Sequence, residues 1–107
     1  MEQKTGINPR APFVVQADPL LQPLIPDYLK NRRNDLQKIA DALTRQDFAA
    51  LRKLGHDMAG SGGAYGLPPI SELGRAIENA ALAGDAATIQ AVTLDLRAFL
   101  DVVKLPP

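Results

Sequence analysis

The chain has 107 residues, of which 46% are apolar, with 12 Lys plus Arg against 12 Asp plus Glu. That is enough for one domain with a single buried core, and the zero net charge lacks the basic excess expected of a nucleic-acid-binding domain. The absence of Cys excludes disulfides, thiolate metal sites and Cys nucleophiles, and a single His excludes a histidine-rich metal site.

Residues 1–17, with Pro9 and Pro12, carry no helical period and are expected to form an extended or flexible lead. Phe13, Val14 and Val15 form a short apolar patch within it. Asp18-Pro19 is a helix-start signal, Asp at the N-cap and Pro at the first helical position. Pro23 and Pro26 follow too closely for one helix to run through both. The expectation is a short helix from Pro19, a break, and a new helix from about Pro23 to Pro26.

Leu24, Ile25, Tyr28, Leu29, Leu36, Ile39, Ala40 and Leu43 then recur at spacings of three and four, with Arg32, Arg33, Asp35, Lys38 and Asp41 between them. This pattern predicts an amphipathic helix of roughly 20 residues. Asp47 caps the next helix, whose stripe is Phe48, Leu51, Leu54, Met58 and Tyr65. Although Gly60, Gly62 and Gly63 weaken helix propensity by about 1 kcal/mol each, the stripe continues to Tyr65 and predicts an unbroken helix with Gly66 as its C-terminal cap. Pro68-Pro69 opens a third helix, burying Ile70, Leu73, Ile77, Ala80 and Ala81. After the Gly84-Asp85 turn a fourth runs to about Val103, with Ile89, Val92, Leu96, Phe99, Leu100 and Val103 inward. No strand run is evident. The reading is an all-α protein: an antiparallel up-down four-helix bundle over residues 18–104, with a short N-terminal helix, the extended lead and a tail of 105–107.

The chemistry turns on His56. With successive side chains about 100° apart, Leu51, Leu54, Met58 and Tyr65 set the core direction, and His56 falls about 140–150° from it. The imidazole is therefore expected to face solvent. Three, four and seven residues on lie Ala59, Gly60 and Gly63; three and four before lie Lys53 and Arg52. Gly in an exposed helix interior is destabilising, so a cleared strip beside the ring suits the close approach of another surface. The two cations suit an anionic group carried on the ring or on that surface. Imidazole is substantially neutral and nucleophilic at physiological pH, and phosphoryl transfer asks a donor mainly for positioning and charge compensation. Hydrolysis with His56 as base is disfavoured, since Asp57 points elsewhere on the helix and a small bundle suggests no deep pocket.

Leu54-Gly55-His56-Asp57-Met58-Ala59-Gly60-Ser61-Gly62-Gly63-Ala64-Tyr65-Gly66-Leu67 resembles the signature of histidine-containing phosphotransfer (HPt) domains: a His, an apolar residue two on, a Lys three on, a Gly four on, then small residues. Leu73 to Glu78 matches the Leu and Glu that the family carries on the following helix, and Leu24 to Arg32 looks like its first bundle helix. The resemblance implies a four-helix phosphorelay module without kinase activity. His56 would be the phosphoacceptor, exchanging phosphoryl with an aspartate of a response-regulator receiver domain or a hybrid histidine kinase. No cofactor is implied, since the magnesium belongs to the receiver. Arg52 and Lys53 would support the phosphoryl group, and Ala59, Gly60 and Gly63 would form the partner interface. Ala59 stands where the family has Lys. Arg52 or Lys53 would have to substitute, with Arg75 on the next helix a remoter candidate. The same departure motivates an alternative, a degenerate module that docks on receivers or kinases without transfer. A cytoplasmic monomer is expected, without membrane or nucleic-acid partners: no apolar run approaches a membrane span, and the first residues lack an apolar signal core.

Overall fold

The structure, a computed structural model, describes residues 11–105. Four helices carry it: α1 Ile25–Thr44, α2 Phe48–Ser61, α3 Pro68–Leu82 and α4 Ala86–Val102. None of the helices is long and apolar enough to cross a membrane. The first ten residues of the expected lead, Pro9 among them, and residues 106–107 of the tail lie outside the described residues.

Local chemistry accounts for most boundaries. The Asp47 side chain accepts from Ala50 N at 3.0 Å and the Asp85 side chain from Thr88 N at 3.0 Å, each satisfying an orphan donor at a helix start. Prolines occupy the first positions of α1 and α3, where a missing N–H is no loss. The expected helix from Pro19 does not form. Asp18 caps only a turn, its carboxylate accepting from Leu20 N at 2.8 Å, and a single 3-10 turn over Gln22–Leu24 leads into α1. The Pro23 ring would meet the Pro19 carbonyl in a continuous helix.

The second correction concerns α2, which stops at Ser61 instead of running to Tyr65. Gly62 ends it, a 3-10 turn spans Gly63–Tyr65, and Gly66 closes that turn in the left-handed region at φ 74°. Packing imposes the break. A Cβ on Gly62 would lie 2.5 Å from Ser71 N and 2.8 Å from the Leu67 carbonyl, so the chain turns there against the start of α3.

The apolar stripes meet in one core. Ile25, Ile39, Leu51, Met58, Ile70, Leu73, Ile77, Ile89 and Leu96 have no exposed surface. Each such side chain contributes roughly 1.5–3 kcal/mol relative to exposure. The periodicity of α1 is not exact: Ala40, expected on its apolar stripe, is exposed. Leu24 precedes α1 and is exposed, whereas Asp35, expected on the polar face, is buried at 4% exposure. Its carboxylate takes the Arg32 Nε–H at 2.8 Å, which satisfies the charge in place. Arg32 in turn lies over the Tyr28 ring, 4.6 Å from its centroid. Burial alone would lower the Arg32 pKa; Tyr28 and Asp35 together overcome that and hold it above its ordinary value. Tyr28 stacks on Tyr65 with centroids 4.3 Å apart, and its hydroxyl lies 2.6 Å from Ser61 Oγ, tying α1 to the end of α2.

A short ribbon that no sequence pattern signals joins the first and last described segments. Phe13–Val14 (β1) pairs in parallel with Val103–Lys104 (β2), Val15 N donates to the Lys104 carbonyl at 3.0 Å, and Val15 is buried. Phe13 meets Phe99 edge-on, centroids 5.3 Å apart. Two-residue strands give no alternation to detect; burial of Phe13 and Val15 stabilises this ribbon.

Candidate functional site

The site lies on the seam between α2 and α3. These helices run in opposite directions, since Gly55 meets Glu78 and Gly62 meets Ser71. Their backbones touch. A Cβ on Gly55 would stand 2.6 Å from Glu78 N and from the Gly74 carbonyl, and one on Gly74 would stand 2.6 Å from Ala59 N. Glycine on both sides is what permits this approach.

The consequence appears one residue along. His56 projects from the solvent side of the seam with 72% of its side chain exposed, as the helical wheel requires. Its Nδ1 lies 2.9 Å from Oε2 of Glu78, a carboxylate only 21% exposed. A carboxylate accepts and does not donate, so this bond puts a proton on Nδ1, and in the neutral ring the Nε2 lone pair is then free. A half-buried acceptor from a neighbouring helix thus fixes both ring orientation and tautomer. Glu78 was visible in the sequence only as a match to the family pattern. Nothing in its spacing revealed that it would reach His56, because the Gly55–Gly74 contact that brings it there joins positions far apart in the chain.

The expected neighbours fall into three groups. Arg52 and Lys53 line a shallow groove with His56, Glu78 and Ala49, the last of which the sequence did not single out. Lys53 is bonded along the helix to Asp57, Nζ to Oδ2 at 3.2 Å, an exposed i,i+4 pair of little strength. Arg52 has no ion pair or hydrogen bond among the described residues. Gly60 is open, with nothing within 4 Å of where its Cβ would stand. Gly63 is also exposed, its N–H given to Ser71 Oγ at 2.8 Å. Ala59 differs from both. It is half-buried against Gly74 and forms the floor of the seam rather than part of the open face.

Among the described residues no group of three or more His, Asp or Glu could hold a metal ion. The arrangement offers one nucleophilic nitrogen, a hydrogen-bonded carboxylate behind it, cations beside it and a bare approach in front.

The family model of the Hpt domain matches residues 24–104. No curated protein and no solved structure matches the chain.

Proposed function

The chain belongs to the Hpt domain family, whose members are phosphocarrier modules of two-component phosphorelays, and on that premise we propose that His56 is the residue that carries the phosphoryl group. The observation behind this reading is the exposed ring held at Nδ1 by Glu78. In the loading step the Nε2 lone pair attacks the phosphorus of a receiver domain's aspartyl phosphate. The N–P bond forms as the P–O bond breaks, and the electron pair leaves on the receiver carboxylate. The phosphorylated ring keeps its Nδ1 proton and acquires a positive charge, which the Glu78 carboxylate stabilises through the bond it already accepts. Delivery is the reverse: a receiver carboxylate attacks phosphorus and the pair returns to Nε2. Arg52 supplies positive charge one turn before the ring and Lys53 adds to the local field. The Gly60 and Gly63 backbone, with Ala59 behind it, lets the receiver bring its aspartate within reach.

The partners are receiver domains, free or within hybrid kinases, and the module works as a monomer in the cytoplasm without a kinase activity or cofactor of its own. The test is incubation with a panel of phosphorylated receivers. Wild type acquires acid-labile, base-stable phosphate and His56→Gln acquires none. Absence of phosphate on wild type across the panel contradicts the proposal.

A further inference from the structure

A phosphoryl group on Nε2 brings nearly two negative charges next to the Glu78 carboxylate. Against them α2 sets Arg52 alone without a shared partner among the described residues: Ala59 faces the seam, and Lys53 is shared with Asp57. The solvent side of α3 supplies what α2 lacks. Ser71, Arg75 and Glu78 are spaced by four and three, so they share one face of that helix. Both ends of this row are tied down, Ser71 Oγ accepting from Gly63 N in the 3-10 turn after α2 at 2.8 Å and Glu78 Oε2 lying 2.9 Å from His56 Nδ1 on α2. Because the helices are antiparallel, Arg75 between them stands opposite the α2 turn between His56 and Gly63, which is Ala59–Gly60. That turn is bare: Gly60 has no side chain and open space where one would be. Arg75 is exposed and has no ion pair or hydrogen bond among the described residues. It lies three residues, about 4.5 Å, along α3 from Glu78, well within the reach of an arginine side chain.

We propose that Arg75 binds the phosphoryl group on His56, its guanidinium crossing the Ala59–Gly60 floor from α3 while Arg52 approaches from the other side. The inference rests on the phosphotransfer reading and adds a residue to it. The planar guanidinium can give two N–H donors to two phosphoryl oxygens at once, which an ammonium cannot do in the same geometry. Gly60 then has a second use, since a side chain there would stand in the path of the guanidinium.

The test is a ³¹P NMR titration of the full chain loaded with phosphoramidate. In that reaction the phosphoramidate P–N bond breaks, ammonia leaves and the bond from Nε2 to phosphorus forms. A guanidinium beside the phosphoryl group favours its dianion and lowers its titration midpoint. Arg75→Gln should raise that midpoint by about half a pH unit, Arg75→Lys should lie between wild type and Arg75→Gln, and Arg97→Gln, an exposed arginine on α4, should leave it unchanged. An Arg75→Gln midpoint equal to that of Arg97→Gln overturns the proposal, as does an Arg75→Lys midpoint as high as that of Arg75→Gln. Because loading is chemical, the result is independent of any partner. Wild type that loads with phosphoramidate yet takes nothing from receivers contradicts the phosphotransfer reading while the Arg75 titration is still decided.

Discussion

The glycines of α2 and of the Gly62 cap that ends it divide into two kinds, and the division follows the two sides of the helix. Gly55 and Gly62 face α3, where an added Cβ would collide with backbone at 2.6 Å and 2.5 Å respectively. Gly60 faces outward, where an added Cβ would touch nothing within 4 Å. The first kind is required by the fold, because two helix backbones occupy the space a side chain would need. The second kind has no such need and lowers helix stability by roughly 0.5–1 kcal/mol relative to alanine. A destabilising residue that the fold does not require points to a use outside it, and the use proposed above is room for a partner and for the Arg75 guanidinium.

Four substitutions probe this division. The largest effect is expected for Gly55→Ala. Overpacking a seam of backbone atoms costs about 1–3 kcal/mol, and here the displaced atoms belong to Glu78 itself. Denaturant unfolding should show the loss of stability, and ¹⁵N NMR should show the ring losing its single Nδ1–H tautomer. A stable Gly55→Ala protein with its tautomer unchanged would mean that the helix contact does not set the His56–Glu78 bond. Gly62→Ala should be destabilised to a similar or smaller degree, at the lower end of about 1–3 kcal/mol, because its neighbours are the Leu67 carbonyl and Ser71. It should leave the His56 tautomer as in wild type. Equal tautomer loss in both variants would show a general loosening of α2 instead of a local coupling.

On the open side, Gly60→Glu should shift stability by less than about 0.5 kcal/mol, a gain in helix propensity offsetting an unfavourable charge near the C-terminal end of α2. Transfer from a phosphorylated receiver should nonetheless slow about tenfold, since bulk and negative charge meet the approaching surface; unchanged kinetics would show that this face is not the contact. The smallest effect is that of Gly60→Ala, a stabilisation of about 0.5 kcal/mol, read as a raised thermal midpoint. A destabilised Gly60→Ala would place this glycine with Gly55 and remove the distinction.

Much of this was legible in the sequence where the signal is local. Four helices followed from apolar spacing, and the starts of α2, α3 and α4 followed from Asp47, Pro68-Pro69 and Asp85. The outward direction of His56 followed from a rotation of 100° per residue, because its helix is regular from Phe48 to Ser61. What escaped depends on contacts between distant positions. The early end of α2 at Ser61 is set by Ser71 and Leu67 pressing on Gly62, and the stripe running on to Tyr65 concealed it. Asp35 looked like a surface charge, since periodicity cannot register that Arg32 satisfies it inside. Glu78 entered the site through a glycine-to-glycine crossing, and neither glycine carries a local signal of its partner. The β1–β2 ribbon is too short to produce any period.

The proposed role of Glu78 is to hold Nδ1 and leave Nε2 as the phosphoryl acceptor. It is tested most directly by loading ¹⁵N-histidine-labelled protein from a phosphorylated receiver and recording ³¹P and ¹⁵N spectra. A single phosphoramidate species with phosphorus on Nε2 of His56 and a proton on Nδ1 is the result expected. Phosphorus on Nδ1, or on any residue other than His56, would contradict it.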